Sequence, residues 1–121
     1  MEDSLTERFV YICSPYRADT EEEWAWNIQV AEALCKFAIR KKKVPIAPHL
    51  YFPQFLDDSD AEQRELGMAM GLAMLEDCSE VWVSGDRISE GMAVEIARAN
   101  EVEIPIKIKH VFKEGAPSEC F

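Results

Sequence analysis

Unbroken apolar runs and helically spaced apolar stripes alternate along this chain, and the two patterns separate strands from helices. Phe9-Val10-Tyr11-Ile12-Cys13 is a continuous apolar run of strand length, as in a strand covered on both faces in a parallel sheet. Ser14-Pro15-Tyr16-Arg17 breaks it. Asp19 or Thr20 then offers an N-cap to an acidic first turn, Glu21-Glu22-Glu23, which suits the positive end of a helix. Trp24, Ile28, Ala31, Cys35 and Ala38 follow at helical spacing, and the basic run from Arg40 to Lys43 suits the negative end. Here the charge run reads as helix-end chemistry. Val44-Pro45-Ile46-Ala47 predicts a short second strand, curtailed by its proline.

The segment from Pro48 to Leu56 carries Tyr51, Phe52 and Phe55, and reads as a structured loop. A helix follows from Asp60 to about Glu76, apolar on nearly every side through Leu66, Met68, Ala69, Met70, Leu72, Ala73, Met74 and Leu75. Such a helix has to be covered all round, either as a central core helix or at a subunit interface. Gly67 and Gly71, one turn apart, would permit close approach there, and the interface reading predicts a homo-oligomer, a dimer, through the 61–76 helix.

Glu80-Val81-Trp82-Val83 predicts the third strand, ended by Gly85-Asp86, and a helix is expected from Ser89 to Asn100. Ile104, Ile106 and Ile108 alternate with Pro105, Lys107 and Lys109, as in a half-buried strand near a sheet edge. The expected fold is a single-domain, three-layer, doubly wound α/β domain with a mostly parallel sheet and helices on both faces, flavodoxin- or Rossmann-like. The domain spans 1–112, and 113–121 reads as a short, loose tail.

Composition narrows the function. At 121 residues the chain is one domain able to bury a core without disulfides or a structural metal. Its formal net charge of −10 argues against a nucleic-acid polymer as partner, since neutralising phosphates needs a basic surface. A small anion, which needs only a few donors, stays open. Cys13, Cys35, Cys78 and Cys120 form no C-x-x-C pair and have no His at zinc spacing, so they read as reduced thiols of a cytoplasmic protein without a metal. No export signal is visible and no apolar run approaches about 18 residues, so no membrane partner is expected.

In a parallel α/β fold, ligands collect outside the carboxyl ends of the strands. That selects Ser14, Tyr16 and Arg17 after the first strand, His49 and Tyr51 after the second, and Asp86, Ser89, Glu90 and Gly91 after the third. Ser89 and Gly91 open a helix, where free N–H groups favour an anion. Glu95 lies one turn beyond Gly91 among Met92, Ala93, Val94, Ile96 and Ala97. A carboxylate there is either a nucleophile or acid–base group, or an ordinary exposed Glu paired with Arg98 or Asn100. Periodicity alone favours the ordinary Glu.

The string Ser89-x-Gly91-x-Ala93-x-Glu95 resembles the S-x-G-x-(G/A)-x-E signature of the nucleoside 2-deoxyribosyltransferase-like superfamily, which includes the 2′-deoxynucleoside 5′-monophosphate N-glycosidases. Tyr11-Ile12-Cys13-Ser14-Pro15-Tyr16-Arg17 and Ile46-Ala47-Pro48-His49 are similar to the first strand and loop and to the second strand's end in those enzymes. The likeness spans roughly 8–108. Within it, the chain looks like an uncharacterised bacterial and phage branch that carries domain-of-unknown-function labels. The resemblance implies that Glu95 attacks the anomeric carbon of a deoxyribose and that water or a second base resolves the ester with retention. It further implies that Ser89 and Gly91 hold the 5′ end, that Arg17 adds charge to a phosphate, and that His49 lies on the ligand side. Tyr16 or Tyr51 could stack on the base. No cofactor is implied. One departure stands out, because the N-glycosidases carry an Asp on the helix before the third strand where this chain has Gly71. Glu90 and Met92 also replace small or apolar residues.

Three classes therefore remain: a nucleotide or nucleoside N-glycosidase or transferase, a non-catalytic nucleotide-binding or sensing module, and a partner-binding domain built on the apolar helix.

Overall fold

The computed structural model describes residues 8–84, 87–111 and 117–119. Strand β1 (Phe9–Cys13) lies inside the sheet, flanked by β2 (Val44–Ile46) and β3 (Glu80–Ser84), with β4 (Ile106–Val111) and β5 (Pro117–Glu119) beyond β3. The sheet order is β2-β1-β3-β4-β5. The first four strands are parallel, with Tyr11 beside Ile46 and Val81, and Val83 beside Ile108. A buried run suits β1 because both its faces are covered.

Helix α1 (Glu21–Arg40) covers one face, packing Val30, Ala31, Leu34 and Ala38 on Val10, Ile12, Trp82 and Val111. Thr20 caps it, accepting from the Glu23 N–H. Helices α2 (Ala61–Glu76) and α3 (Glu90–Glu101) cover the other face, where Leu75, Met92 and Ala99 meet Tyr11, Cys13, Val81 and Val83. The chain is thus a small three-layer α/β domain. After β1 it leaves towards α1, and after β3 towards α3 on the opposite face, which opens a crevice between the two strand ends.

Three local expectations change. The stretch read as a loose tail contains β5, which pairs antiparallel to β4 and supplies the sheet edge. In β4 the alternation is inverted at its end: Ile108 is exposed while Lys109 is buried against Phe37 and Trp82, because the α1 face is the covered one there. In α2 only Gly71, Leu72 and Leu75 are buried, leaving Leu66 and Met70 exposed. Its two glycines serve the chain's own packing, since a Cβ at Gly67 would lie 3.1 Å from Leu56 and one at Gly71 would lie 3.1 Å from the Tyr11 hydroxyl.

Among the described residues Cys13, Cys35 and Cys78 are free thiols, and Cys120 lies outside them. No described helix is long and apolar enough to cross a membrane.

Candidate active site

Helix α3 buries Met92, Glu95 and Ala99, which recur at the three- and four-residue spacing of an inward stripe. Glu95 therefore takes a position that an apolar residue would ordinarily fill, and only 1% of it is exposed. It is not an ordinary surface Glu: Arg98, its nearest cation in sequence, turns instead to Glu76 and Glu101.

A carboxylate removed from water needs donors, and β1 provides two. Tyr11 and Cys13, alternate residues of that strand, share the face turned to α3. The Tyr11 hydroxyl donates to Glu95 Oε2 at 2.6 Å, and the Cys13 thiol donates to Oε1 at 3.2 Å. Burial, then the negative charge of Glu95, pushes both the phenol and the thiol well above their ordinary ranges. Both accordingly stay protonated and act as donors. From the loop after β2, His49 brings Nε2 to 3.6 Å from Oε2, and its ring stacks on Tyr16 at 5.5 Å between centroids.

Glu95 and Tyr11 lie on the lining of a cavity of about 720 Å³. The N-terminus of α3 and the loop after β1 form two of its walls, and the first half of α2 forms another. Its volume lies within the usual range of small-molecule sites, about 300–1,000 Å³. Arg17, Arg64 and Arg87 lie on its lining together with Asp58, Glu65 and Glu90, so its charge is mixed.

A family model described as "Domain of unknown function (DUF7768)" matches residues 8–109. The chain belongs to the DUF7768 family. The DUF7768 match runs from the start of β1 into β4 and takes in Tyr11, Cys13, His49 and Glu95. Among curated proteins, none matches the chain.

Most residues singled out from the sequence line the cavity of this DUF7768 domain: Tyr16, Arg17, His49, Ser89, Gly91 and Glu95. Their roles are less uniform. The Ser89 hydroxyl accepts from the Met92 N–H as the N-cap of α3. Arg17 is largely exposed and turns its guanidinium to Asp58, 3.4 Å away and also on the lining. Tyr51 is not on the lining; its ring meets Phe52 edge-on and its hydroxyl reaches the Met74 sulfur. Asp86 lies outside the described residues.

Sequence reasoning missed Tyr11, Cys13 and Arg87 as site residues. The first two were read only as strand core, though a Tyr at an inward strand position carries a hydroxyl that needs a partner. Arg87 lies on the lining and donates to the Arg17 carbonyl at 3.2 Å, tying the loop after β3 to the loop after β1.

Proposed function

We propose that the chain cleaves the N-glycosidic bond of a deoxynucleotide or deoxynucleoside, as a hydrolase or deoxyribosyltransferase, with Glu95 as nucleophile. The observation that carries this reading is the Glu95 carboxylate, buried at the cavity with a donor on each oxygen. The likeness of Ser89-x-Gly91-x-Ala93-x-Glu95 to the deoxyribosyltransferase-like signature supports the same reaction.

One Glu95 oxygen bonds to the anomeric carbon while the C–N bond breaks and its electron pair leaves with the base. Water, or a second base, then displaces the ester, and two inversions give net retention. The departing base takes up a proton. His49 lies on the cavity with Nε2 3.6 Å from Glu95 Oε2, and we assign it to supply that proton and later accept one from water. It stands in for the acid missing at Gly71. The 5′ end is directed to the start of α3, where Gly91 admits close approach and Arg87 adds positive charge. A phosphate there, and hydrolysis over transfer, are the preferred forms. The exposed Leu66 and Met70 of α2 support a homodimer through that helix, and the free thiols suit a reducing cytoplasm.

A sensing module is the second reading, favoured by Gly71 in place of an acid and by Arg17 already paired with Asp58. Incubation with each deoxynucleoside monophosphate, followed by chromatography for free base, separates the two. Free base made by wild type and lost in Glu95→Gln is the expected result. Binding without turnover, unchanged or tightened in Glu95→Gln, establishes the sensor.

A further inference from the structure

Among the described residues two side-chain hydroxyls are buried without a hydrogen-bond partner, those of Ser14 and Ser84. A hydroxyl withdrawn from water and left unpaired destabilises a fold, so each calls for a reason. The two occupy equivalent places, since Cys13 pairs with Val83 in the sheet and a serine follows each directly. The cavity tells them apart. Ser84 is off its lining, while Ser14 is on it together with Tyr16, His49, Gly91 and Glu95.

Ser14 is also close to the reacting group. It follows Cys13, whose thiol lies 3.2 Å from Glu95 Oε1, and like Glu95 it is 1% exposed. A ligand seated deeply enough to meet the Glu95 carboxylate is therefore at the depth of Ser14. Under the glycosidase reading the part of the substrate beside Glu95 is the sugar, because the carboxylate has to reach the anomeric carbon. With the 5′ end directed to the start of α3, a 2′-deoxyribose has one free hydroxyl left, at C3′. A serine hydroxyl both donates and accepts, and so does a sugar hydroxyl, so the two satisfy each other without any charge.

We propose that Ser14 is a substrate-binding residue whose hydroxyl pairs with the 3′-hydroxyl of the deoxyribose. This rests on the glycosidase reading for the placement of the sugar. The unpaired Oγ is then a subsite made ready in the fold, its stability cost offset when the substrate enters.

Ser14→Ala and 2′,3′-dideoxynucleotides test the pair from its two sides. Affinities are read by calorimetric titration in the Glu95→Gln background, where turnover is stopped. Ser14→Ala is expected to weaken binding of the deoxynucleoside monophosphate roughly five- to tenfold, the worth of one neutral hydrogen bond. The matching 2′,3′-dideoxynucleoside monophosphate, which lacks only the 3′-hydroxyl, should bind equally well with and without Ser14. An equal loss with both compounds would assign the hydroxyl to the phosphate or to the fold, and no loss with either would leave it without a ligand; both results overturn the proposal. The ligand-free melting temperature of Ser14→Ala is expected to hold or rise, because the variant deletes an unpaired buried group. A fall of several degrees, or failure to fold, makes the hydroxyl structural and also overturns it. If wild type binds these nucleotides with the expected discrimination but releases no base, the glycosidase reading falls and the Ser14 contact stands.

Discussion

Glu95 and Lys109 are the two charged side chains buried in the described structure, each about 1% exposed, and they lie on opposite faces of one sheet. Lys109 is packed on the α1 face, with its ammonium 4.5 Å from the Trp82 ring and 5.4 Å from the Phe37 ring. There the charge meets the negative faces of aromatic rings, which stabilise a cation, and Lys109 is not on the lining of the cavity. Glu95 meets directional donors, and the cavity opens beside it. Both burials violate the rule that charges stay outside, yet of the two only Glu95 lies on the lining of the cavity. The surroundings of a buried charge, more than its burial, separate a group set beside a cavity from one set among rings.

The largest test of this contrast is Glu95→Gln. Turnover is expected to fall by about 10⁴-fold or more, the scale of losing a nucleophile. Its melting temperature should change little, because the substitution removes a buried charge and keeps the shape, while one of the two donors loses its acceptor. Calorimetry beside the free-base assay reads both, and a large loss of stability would make Glu95 a structural group.

Tyr11→Phe takes one donor from the same carboxylate. Turnover is expected to drop roughly ten- to hundredfold, the worth of a hydrogen bond to a charged group. Unchanged steady-state kinetics would remove Tyr11 from the site.

Lys109→Met tests the other face. It is expected to leave turnover and nucleotide binding at wild-type values and to lower stability by about 1–2 kcal/mol through the lost ring contacts. Chemical denaturation measures the second quantity, and a large kinetic effect would erase the distinction between the two charges.

The gentlest effect is with pH. Tyr11 and Cys13 have ordinary values of 10.0 and 9.0, and burial followed by the Glu95 charge raises both in the fold. The folded protein keeps protons that the unfolded chain releases, so this stability is full below the ordinary values and declines as pH climbs past 9 and then 10. Urea midpoints across alkaline pH should slope downward, and Tyr11→Phe should flatten the upper part of the slope.

Much of the architecture was legible in sequence because it rests on period and punctuation. The buried run at 9–13, the acidic first turn after Thr20 and the Asp60 cap lead directly to β1, α1 and α2. Lys109 was misread because alternation tells which residues share a face, while the covered face is chosen by distant partners such as Phe37. Pro117–Glu119 was misread because an edge strand of three residues has no period of its own. At the site, Ser89, Gly91 and Glu95 were legible as a local spacing. Tyr11 and Cys13 were not, since what distinguishes them is the carboxylate brought against them from another part of the chain.

That distance has a consequence for how the protein comes into being. Tyr11 and Cys13 stand 84 and 82 residues ahead of Glu95, so the carboxylate meets its donors only after β1, β3 and α3 have been brought together. Until then Glu95 on a nascent α3 gains nothing from the core and is better left in water. The donors on β1 offset that cost only once α3 is docked on the strand, a contact whose long loop has to be closed first. The site therefore reports on one step of assembly: a chain in which α3 has not docked on β1 leaves the Glu95 carboxylate without its orienting donors.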